Sequence, residues 1–417
     1  MVLRFNAWNT AVIAFFAFLI YYGTFPMFFP VGGLYYAQAL IIIAFVLFVF
    51  LTNRERWVLN RTAKQVFFFW LLIYLWGRIT LSWAVYESTA REYLLHVFVM
   101  LVSLLLFAWM SSGIGWDILG RRAFILVGLA FGLVGIYEAF TGDYHFTLRL
   151  GYTAKSYFGL HLPMSVFYNP NDHVTFVTMV WFLSVLETAD MADAGKKKKQ
   201  RLVCAIIFGI NVLLSNSRGA WGASILFFSF YFLAKSGMDQ RWTRIFFAIL
   251  AFALLYDVLL DFLLNTVFKQ KGLDTGRDWI WEESWKNFVA SGYLGNGPGN
   301  TALLNSAGEY KGGYHLHNFF LEYICDYGIP GFVCSVGWVL SLLFGAFRMR
   351  NEHEEKSAIM LATMIGFAPL SVTPATLIAQ DWIYFYIALF VAEINRFECR
   401  QERRVLEDEY RYRNDMV

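Results

Sequence analysis

The sequence predicts an all-α polytopic membrane protein with about twelve transmembrane helices, each needing about 20 apolar residues. Composition gives the first reason. Apolar residues make up 58% of the 417 positions and charged residues only 16%, against roughly 25% charge in an ordinary soluble domain. Twelve spans of that length use about 240 positions, nearly the whole apolar inventory. The second reason is the placement of the lysines and arginines, which alternates from one connection to the next. Together these exclude a soluble multidomain enzyme, a secreted disulfide scaffold and a disordered chain.

Apolar stretches lie near 10–29, 34–51, 65–83, 92–112, 123–141, 173–190, 202–217, 219–235, 243–267, 329–347, 357–373 and 375–395. The first follows only Arg4, is long enough to span and lacks a small-x-small cleavage site, so it reads as a retained helix. Pro26, Pro30, Gly32 and Gly33 turn the chain between the first pair, and Thr373-Pro374 between the last. Cys204, Cys325, Cys334 and Cys399 fall in no metal-like spacing. Cys204 and Cys334 sit in apolar runs, as small core residues do.

An even number of spans puts both termini on one side. With that side cytoplasmic, the inner segments hold 24 of the 34 basic residues, among them Lys196 to Lys199 and the arginines of the tail 396–417. The positive-inside rule then fixes the orientation. The lysine run and the tail read as topology determinants and a solvated cytoplasmic end, not as a nucleic-acid patch.

The chain reads as one transmembrane domain, 1–417, with two long outer segments, Thr141 to Asp172 and a loop over 268–328. Loops of that length are uncommon without a function or disorder. The second carries Trp279, Trp281 and Trp285 on an expected short amphipathic helix, suited to the membrane interface. Every inner connection is short, leaving no room for a nucleotide-binding domain. A transferase built this way works outside on a donor that arrives activated, and a lipid-linked pyrophosphate is the obvious form.

Arg218, in Ser215-Asn216-Ser217-Arg218-Gly219-Ala220-Trp221, sits at a tight outer turn. A guanidinium this close to the bilayer is a functional candidate, with snorkelling or helix capping as the alternative. Arg277, in Thr275-Gly276-Arg277-Asp278-Trp279, opens the interfacial helix, where a phosphate is favoured; a local salt bridge to Asp278 or Glu282 competes. His315 and His317 stand where the loop re-enters the membrane and can take a proton from a hydroxyl, or merely satisfy loop carbonyls while Asn318 caps the next helix. Two histidines without a third nearby ligand make a poor zinc site. Gly295 to Asn300 reads as turns and not as a phosphate loop, and Asn169-Pro170-Asn171-Asp172 as a turn and cap. Asp257 and Asp261 share a helix face, and Asp381 interrupts the last span.

Asn169 to Asn171, Ser217 to Trp221, Gly276 to Trp281 and His317 to Gly331, in that order and on that side, resemble the motifs of the O-antigen ligase and O-antigen polymerase family. The resemblance covers roughly residues 165–335 and implies a metal-independent, cofactor-free, inverting glycosyltransferase of the membrane-embedded C type. The implied active site is periplasmic, in a bacterial inner membrane with both termini cytoplasmic. The implied donor is a glycan on undecaprenyl pyrophosphate, held by Arg218 and Arg277, with His317 activating the acceptor hydroxyl. His315 is the second candidate base or an acceptor contact. Asn318, Glu322, Asp326 and Asn171 are candidate supports, Glu322 and Asp326 as partners that orient His317.

Transfer to a lipid A–core sugar, as in lipopolysaccharide biosynthesis, is preferred over transfer to a second lipid-linked repeat, because the outer loops are compact. A protein acceptor usually goes with a further periplasmic domain. A lipid-linked oligosaccharide flippase is the reading from another class. Internal repeats and mid-membrane charges would favour it, whereas the charges here gather at the outer rim.

Overall fold

Large apolar side chains face outward along whole helices of this protein, as they do when the surrounding medium is hydrocarbon. The computed structural model describes residues 7–24, 35–51, 58–113, 116–146, 156, 158–234, 278–303, 315–374, 376 and 378–415. Among them are twelve helices and no strand: α1 (Ala7–Thr24), α2 (Tyr36–Leu51), α3 (Arg61–Thr80), α4 (Glu87–Gly113), α5 (Trp116–Thr141), α6 (Pro170–Ala189), α7 (Ala194–Leu214), α8 (Arg218–Ala234), α9 (Asp278–Ala290), α10 (Phe319–Arg348), α11 (Glu354–Leu370) and α12 (Asp381–Asp415). A short 3₁₀ turn, Met349–Asn351, joins α10 to α11.

Eleven of the twelve expected apolar stretches coincide with helices. The ninth, with Asp257 and Asp261, lies outside the described residues. Helix α9 is the short tryptophan helix. By length and composition Glu87–Ser112, Trp116–Thr141 and Phe319–Asn351 can each cross a bilayer, and the protein is a multi-pass membrane protein. Exposed rows such as Phe68, Leu75 and Ile79 on α3, or Val333, Leu340 and Phe344 on α10, recur at helical spacing on the outer surface.

Helix α12 is the central post. Its residues 381–397 are all buried, as expected of a helix surrounded by others. Trp382 packs on Phe176 of α6, and Tyr384 on Trp70 of α3. Asp381 does not interrupt this helix. It is the first residue, and its carboxylate meets His96 Nδ1 of α4 at 2.6 Å. Among the described residues just before it, 378 and 379 form a turn and not the expected helix. The tail is exposed over 400–409 as expected and helical to Asp415, and it differs from expectation in its first turn, where Arg396, Phe397 and Cys399 are buried.

That burial has an electrostatic cause. Asp117 at the start of α5, Glu187 and Asp190 at the end of α6 and Glu393 on α12 gather with Arg121, Arg122, Lys356 and Arg396. Arg121 reaches Glu393 and Asp190 at 2.7 Å each, and Lys356 bridges the same two carboxylates. Arg396 pairs with Asp117 and Glu393. Four acids meet four bases, so the cluster is formally neutral and fit to be buried. Lys197, from the lysine run, is helical and joins Arg201 and Tyr231 on Glu355.

Helix α10 is broken. Gly328 has φ 69°, in the left-handed region, and a Cβ there would collide with the backbone of Leu294. Chain 293–297 runs along the break: Ile329 N–H donates to Tyr293 O, Asn296 N–H to Cys325 O and Gly297 N–H to Asp326 O, each at 3.0 Å. Pro330 follows in the first turn of the new segment, where a missing N–H costs nothing. The short piece, 319–327, thus stands apart from the long apolar piece, 329–348.

Removing one partner of the buried cluster leaves an uncompensated charge. Glu393→Ala is therefore expected to lower unfolding stability in detergent by about 3–5 kcal/mol. Arg404→Ala, which breaks an exposed pair with Glu352, is expected to cost no more than about 1 kcal/mol.

Candidate active site

The last turn of a helix leaves backbone carbonyls without intrahelical donors, and the end of α11 puts them to use. Leu370 ends the helix, and Ser371 to Pro374 turn the chain toward α12. Phe319 N–H donates to Ser371 O at 3.1 Å, and His317 Nδ1 lies 2.9 Å from Pro374 O. Thr376 hydroxyl donates to Glu322 Oε2 at 3.0 Å. The start of α10 is thereby fastened to this turn in three places.

The start of α8 presses on the same turn. Chain reversal after α7 uses Asn216 at φ 58°. Ser217 Oγ then accepts from Ala220 N–H at 3.3 Å, capping α8, and Trp221 Nε1 donates back to Val212 O at 2.7 Å. At Gly219 a Cβ would collide with Thr373 Oγ1 and come within 2.6 Å of Pro369 O. Only glycine permits that approach. Arg218, the residue before it, is half-buried in the first turn of α8, and among the described residues no carboxylate pairs with it. Arg218 and His317 thus come near one turn from segments 99 residues apart in the sequence.

The imidazole geometry is informative. A carbonyl only accepts, so His317 Nδ1 carries the proton toward Pro374 O, and the neutral ring presents Nε2 as its acceptor. His317 itself has φ 53°. Asn318 follows as the N-cap of α10, its side chain accepting from Leu321 N–H at 3.1 Å. Trp281 of α9 donates Nε1 to Leu316 O at 2.7 Å, and Phe288 of α9 packs with buried Leu316 and Cys325. Helix α9 therefore holds the backbone between the two histidines. Trp279 and Trp285 remain about half exposed on it, at 46% and 48%.

His315 Nδ1 is buried with no hydrogen-bond partner among the described residues, and burial pushes its pKa below the usual imidazole value.

The other expected residues take different places. The Asp326 carboxylate accepts from Gly299 N–H at 2.8 Å and Thr301 N–H at 3.0 Å. The Gly295 to Asn300 segment is a set of turns whose amides serve that carboxylate, as its proline and lack of a preceding strand suggested. Glu322 joins the junction through Thr376, while Pro374 O takes the His317 Nδ1 proton expected to go to a carboxylate. Asn171 donates its own N–H to Asn169 Oδ1, the N-cap of α6, within the Asn-Pro-Asn turn. Arg277 lies outside the described residues; α9 begins at the next residue in sequence.

Two features escaped the sequence reading. The buried pair His96–Asp381, with Gln38 Nε2 3.2 Å from the same ring nitrogen, is visible beforehand only as a lone histidine in the apolar run of α4. Thr373 and Thr376 carry no signal beyond their place beside Pro374.

Two expectations follow. Gly219→Ala is expected to wedge α8 off the turn at an overpacking cost of about 1–3 kcal/mol, read as a lower unfolding midpoint in detergent. For His315, the folded pKa lies below the unfolded value of about 6.5. Stability is then fully present above that value and is lost as pH falls toward the folded pKa. His315→Gln is expected to flatten the loss between pH 7 and pH 5 in thermal unfolding; an unchanged slope would contradict the burial.

Residues 203–336, from α7 into α10, match the family model described as O-antigen ligase. The chain is also similar to the teichuronic acid biosynthesis protein TuaE of Bacillus subtilis (strain 168), with 21% identity over 381 residues, 86% of this chain and 77% of the relative. Members of such a family act in glycan assembly, and the matched segment holds Arg218, Trp281, His315, His317 and Gly328. The resemblance of this membrane protein is thus to the O-antigen ligase family, carried by the segment that supplies both sides of the α11 junction.

Proposed function

We propose that this protein transfers a glycan from undecaprenyl pyrophosphate to a sugar hydroxyl at the periplasmic face of a bacterial inner membrane, as an O-antigen ligase with a lipid A–core acceptor. The reading rests on one observation above all: a half-buried arginine, whose neighbour Gly219 packs on the turn after α11, and a histidine whose ring is hydrogen-bonded to that turn both lie within the family-matched segment.

In this reaction His317 Nε2 takes the proton of the acceptor hydroxyl as its oxygen attacks the anomeric carbon. The bond from that carbon to the pyrophosphate oxygen breaks, and the electron pair leaves with the pyrophosphate. Attack opposite the leaving group inverts the anomeric centre. Negative charge grows on the departing diphosphate, so Arg218 and Arg277 stabilise the transition state more than the bound donor. Two guanidinium groups neutralise the product without a metal. The Pro374 carbonyl holds the imidazole in the tautomer that a base needs, and His315, kept neutral by burial, is placed to contact the acceptor. Both termini are cytoplasmic in this arrangement, which the distribution of basic residues supports.

Polymerisation onto a second lipid-linked repeat is the second reading. It gains support from a relative named for teichuronic acid biosynthesis.

Reconstitution with lipid-linked glycan and two competing acceptors, lipid A–core and a second lipid-linked repeat, separates the readings by which one is extended. In the same assay Arg218→Ala is expected to lower turnover by about 10²–10³, with Arg218→Lys a poor rescue because a point charge lacks the bidentate fork. His317→Ala is expected to lose about 10²–10⁴, more than His315→Ala. Unchanged turnover in Arg218→Ala, or the reverse order for the histidines, would overturn the assignment.

A further inference from the structure

Helices α3 and α4 form a hairpin at the end of the bundle where α12 begins, and its tip is tied to the turns beside Asp326. Trp83 Nε1 donates to Gly295 O at 2.9 Å, and Tyr86 N–H donates to Asn300 Oδ1 at 2.8 Å. Behind the tip the two helices touch: a Cβ at Gly77 would come within 2.8 Å of Leu94 Cδ1. Beside that contact they part. The gap is a groove of about 240 Å³ lined by Tyr74, Arg78, Arg91, Leu94, Leu95 and Phe98.

One end of the groove is charged and the other apolar. Arg78 stands in the last turn of α3, and Arg91 in the second turn of α4. Tyr74 lies one turn below Arg78, about 6 Å at 1.5 Å per residue. Its ring meets Phe98 at 5.9 Å between centroids and closes the lower end. Leu75, Ile79 and Phe98 are exposed alongside, on the surface that faces hydrocarbon. Arg91 Nε donates to Glu87 Oε1 at 3.0 Å, and Glu92 is engaged by the Tyr35 hydroxyl. Among the described residues no carboxylate pairs with Arg78, which is exposed. Two guanidinium groups and one carboxylate leave a single uncompensated positive charge.

We propose that this groove binds an anionic membrane phospholipid, with its phosphate between Arg78 and Arg91 and the first methylenes of one acyl chain against Leu95, Tyr74 and Phe98. The site is separate from the transfer reaction and does not depend on it. Guanidinium forks suit phosphate oxygens, and basic pockets between membrane helices recognise lipid headgroups. A phosphodiester brings the one negative charge that the groove matches. A lipid-linked pyrophosphate brings two and stays half compensated. A zwitterionic headgroup carries its own cation and gains nothing from the surplus. A lipid held here fills the gap between α3 and α4 and braces the hairpin that anchors the 295–300 turns.

The test uses the full-length protein in phosphatidylcholine nanodiscs doped with a phosphatidylglycerol that carries a diazirine near the carboxyl end of one acyl chain. Photolysis and peptide mapping are expected to place the label on 74–78 of α3 and 94–98 of α4. A phosphatidylcholine with the same diazirine should label there about ten-fold less. Arg78→Gln is expected to lower the phosphatidylglycerol label about ten-fold, as when a charge-assisted phosphate contact is lost. Glu87→Gln frees Arg91 and should raise it. Equal labelling by the two lipids, or no change in Arg78→Gln, would overturn the proposal. So would displacement by polyprenyl pyrophosphate at lower concentration than by unlabelled phosphatidylglycerol, which would assign the groove to a substrate.

A second arm is independent of labelling. Phosphatidylglycerol titrated into the detergent-solubilised protein is expected to raise the thermal unfolding midpoint by linkage. The rise should shrink in Arg78→Gln, and equal rises in the two proteins would count against the site.

Discussion

The end of α11 is the hinge point of the site, because four backbone or hydroxyl groups within eight residues each hold a different part of the chain. Pro369 O lies against Gly219, Ser371 O takes Phe319 N–H, Pro374 O takes His317 Nδ1–H, and the Thr376 hydroxyl donates to Glu322. Carbonyls that a helix end leaves without partners have become the fasteners for two other helix starts. None of these bonds is strong alone, at about 0.5–1.5 kcal/mol net. Their value lies in geometry: a guanidinium and an imidazole from segments a hundred residues apart in sequence are referred to one rigid turn.

The opposite end of the bundle solves a different problem. Helices α5, α6, α11 and α12 converge there with eight charged groups, and a low-dielectric interior penalises each one heavily unless it is paired. Equal numbers of both signs, each engaged by a partner, make the convergence tolerable. The bundle is thus tied by ion pairs where α12 leaves it and by backbone hydrogen bonds where α12 enters. Between the two ends the contacts are largely apolar and aromatic, with Trp70, Trp382 and Tyr384 fully buried at the centre.

Much of this was legible in the sequence where the chemistry is local. Asn169 and Asn318 announce helix starts through side chains that reach two or three residues ahead. Hydropathy located eleven of the helices among the described residues for the same reason. What stayed hidden depends on distant partners. Asp326 looked available to His317 because its amide partners lie 25 and 27 residues upstream, in a segment that shows only as turns. Asp381 looked like a flaw in a span because His96 is 285 positions away. The tail read as solvated because Asp117, the acid that buries Arg396, lies at the start of α5.

The interruption at Gly328 separates two jobs that an unbroken helix would have to share. Bilayers differ in thickness, and a long apolar helix answers a mismatch by tilting or sliding at small cost. The segment 329–348 is held at its far end, where Arg348 donates to Thr62 and Glu398, whereas the short segment carrying Asn318 and Glu322 hangs from chain 293–297 and from the end of α11. The two segments thus answer to different anchors, and a tilt of the long one does not reach Asn318 and Glu322 through a continuous helix.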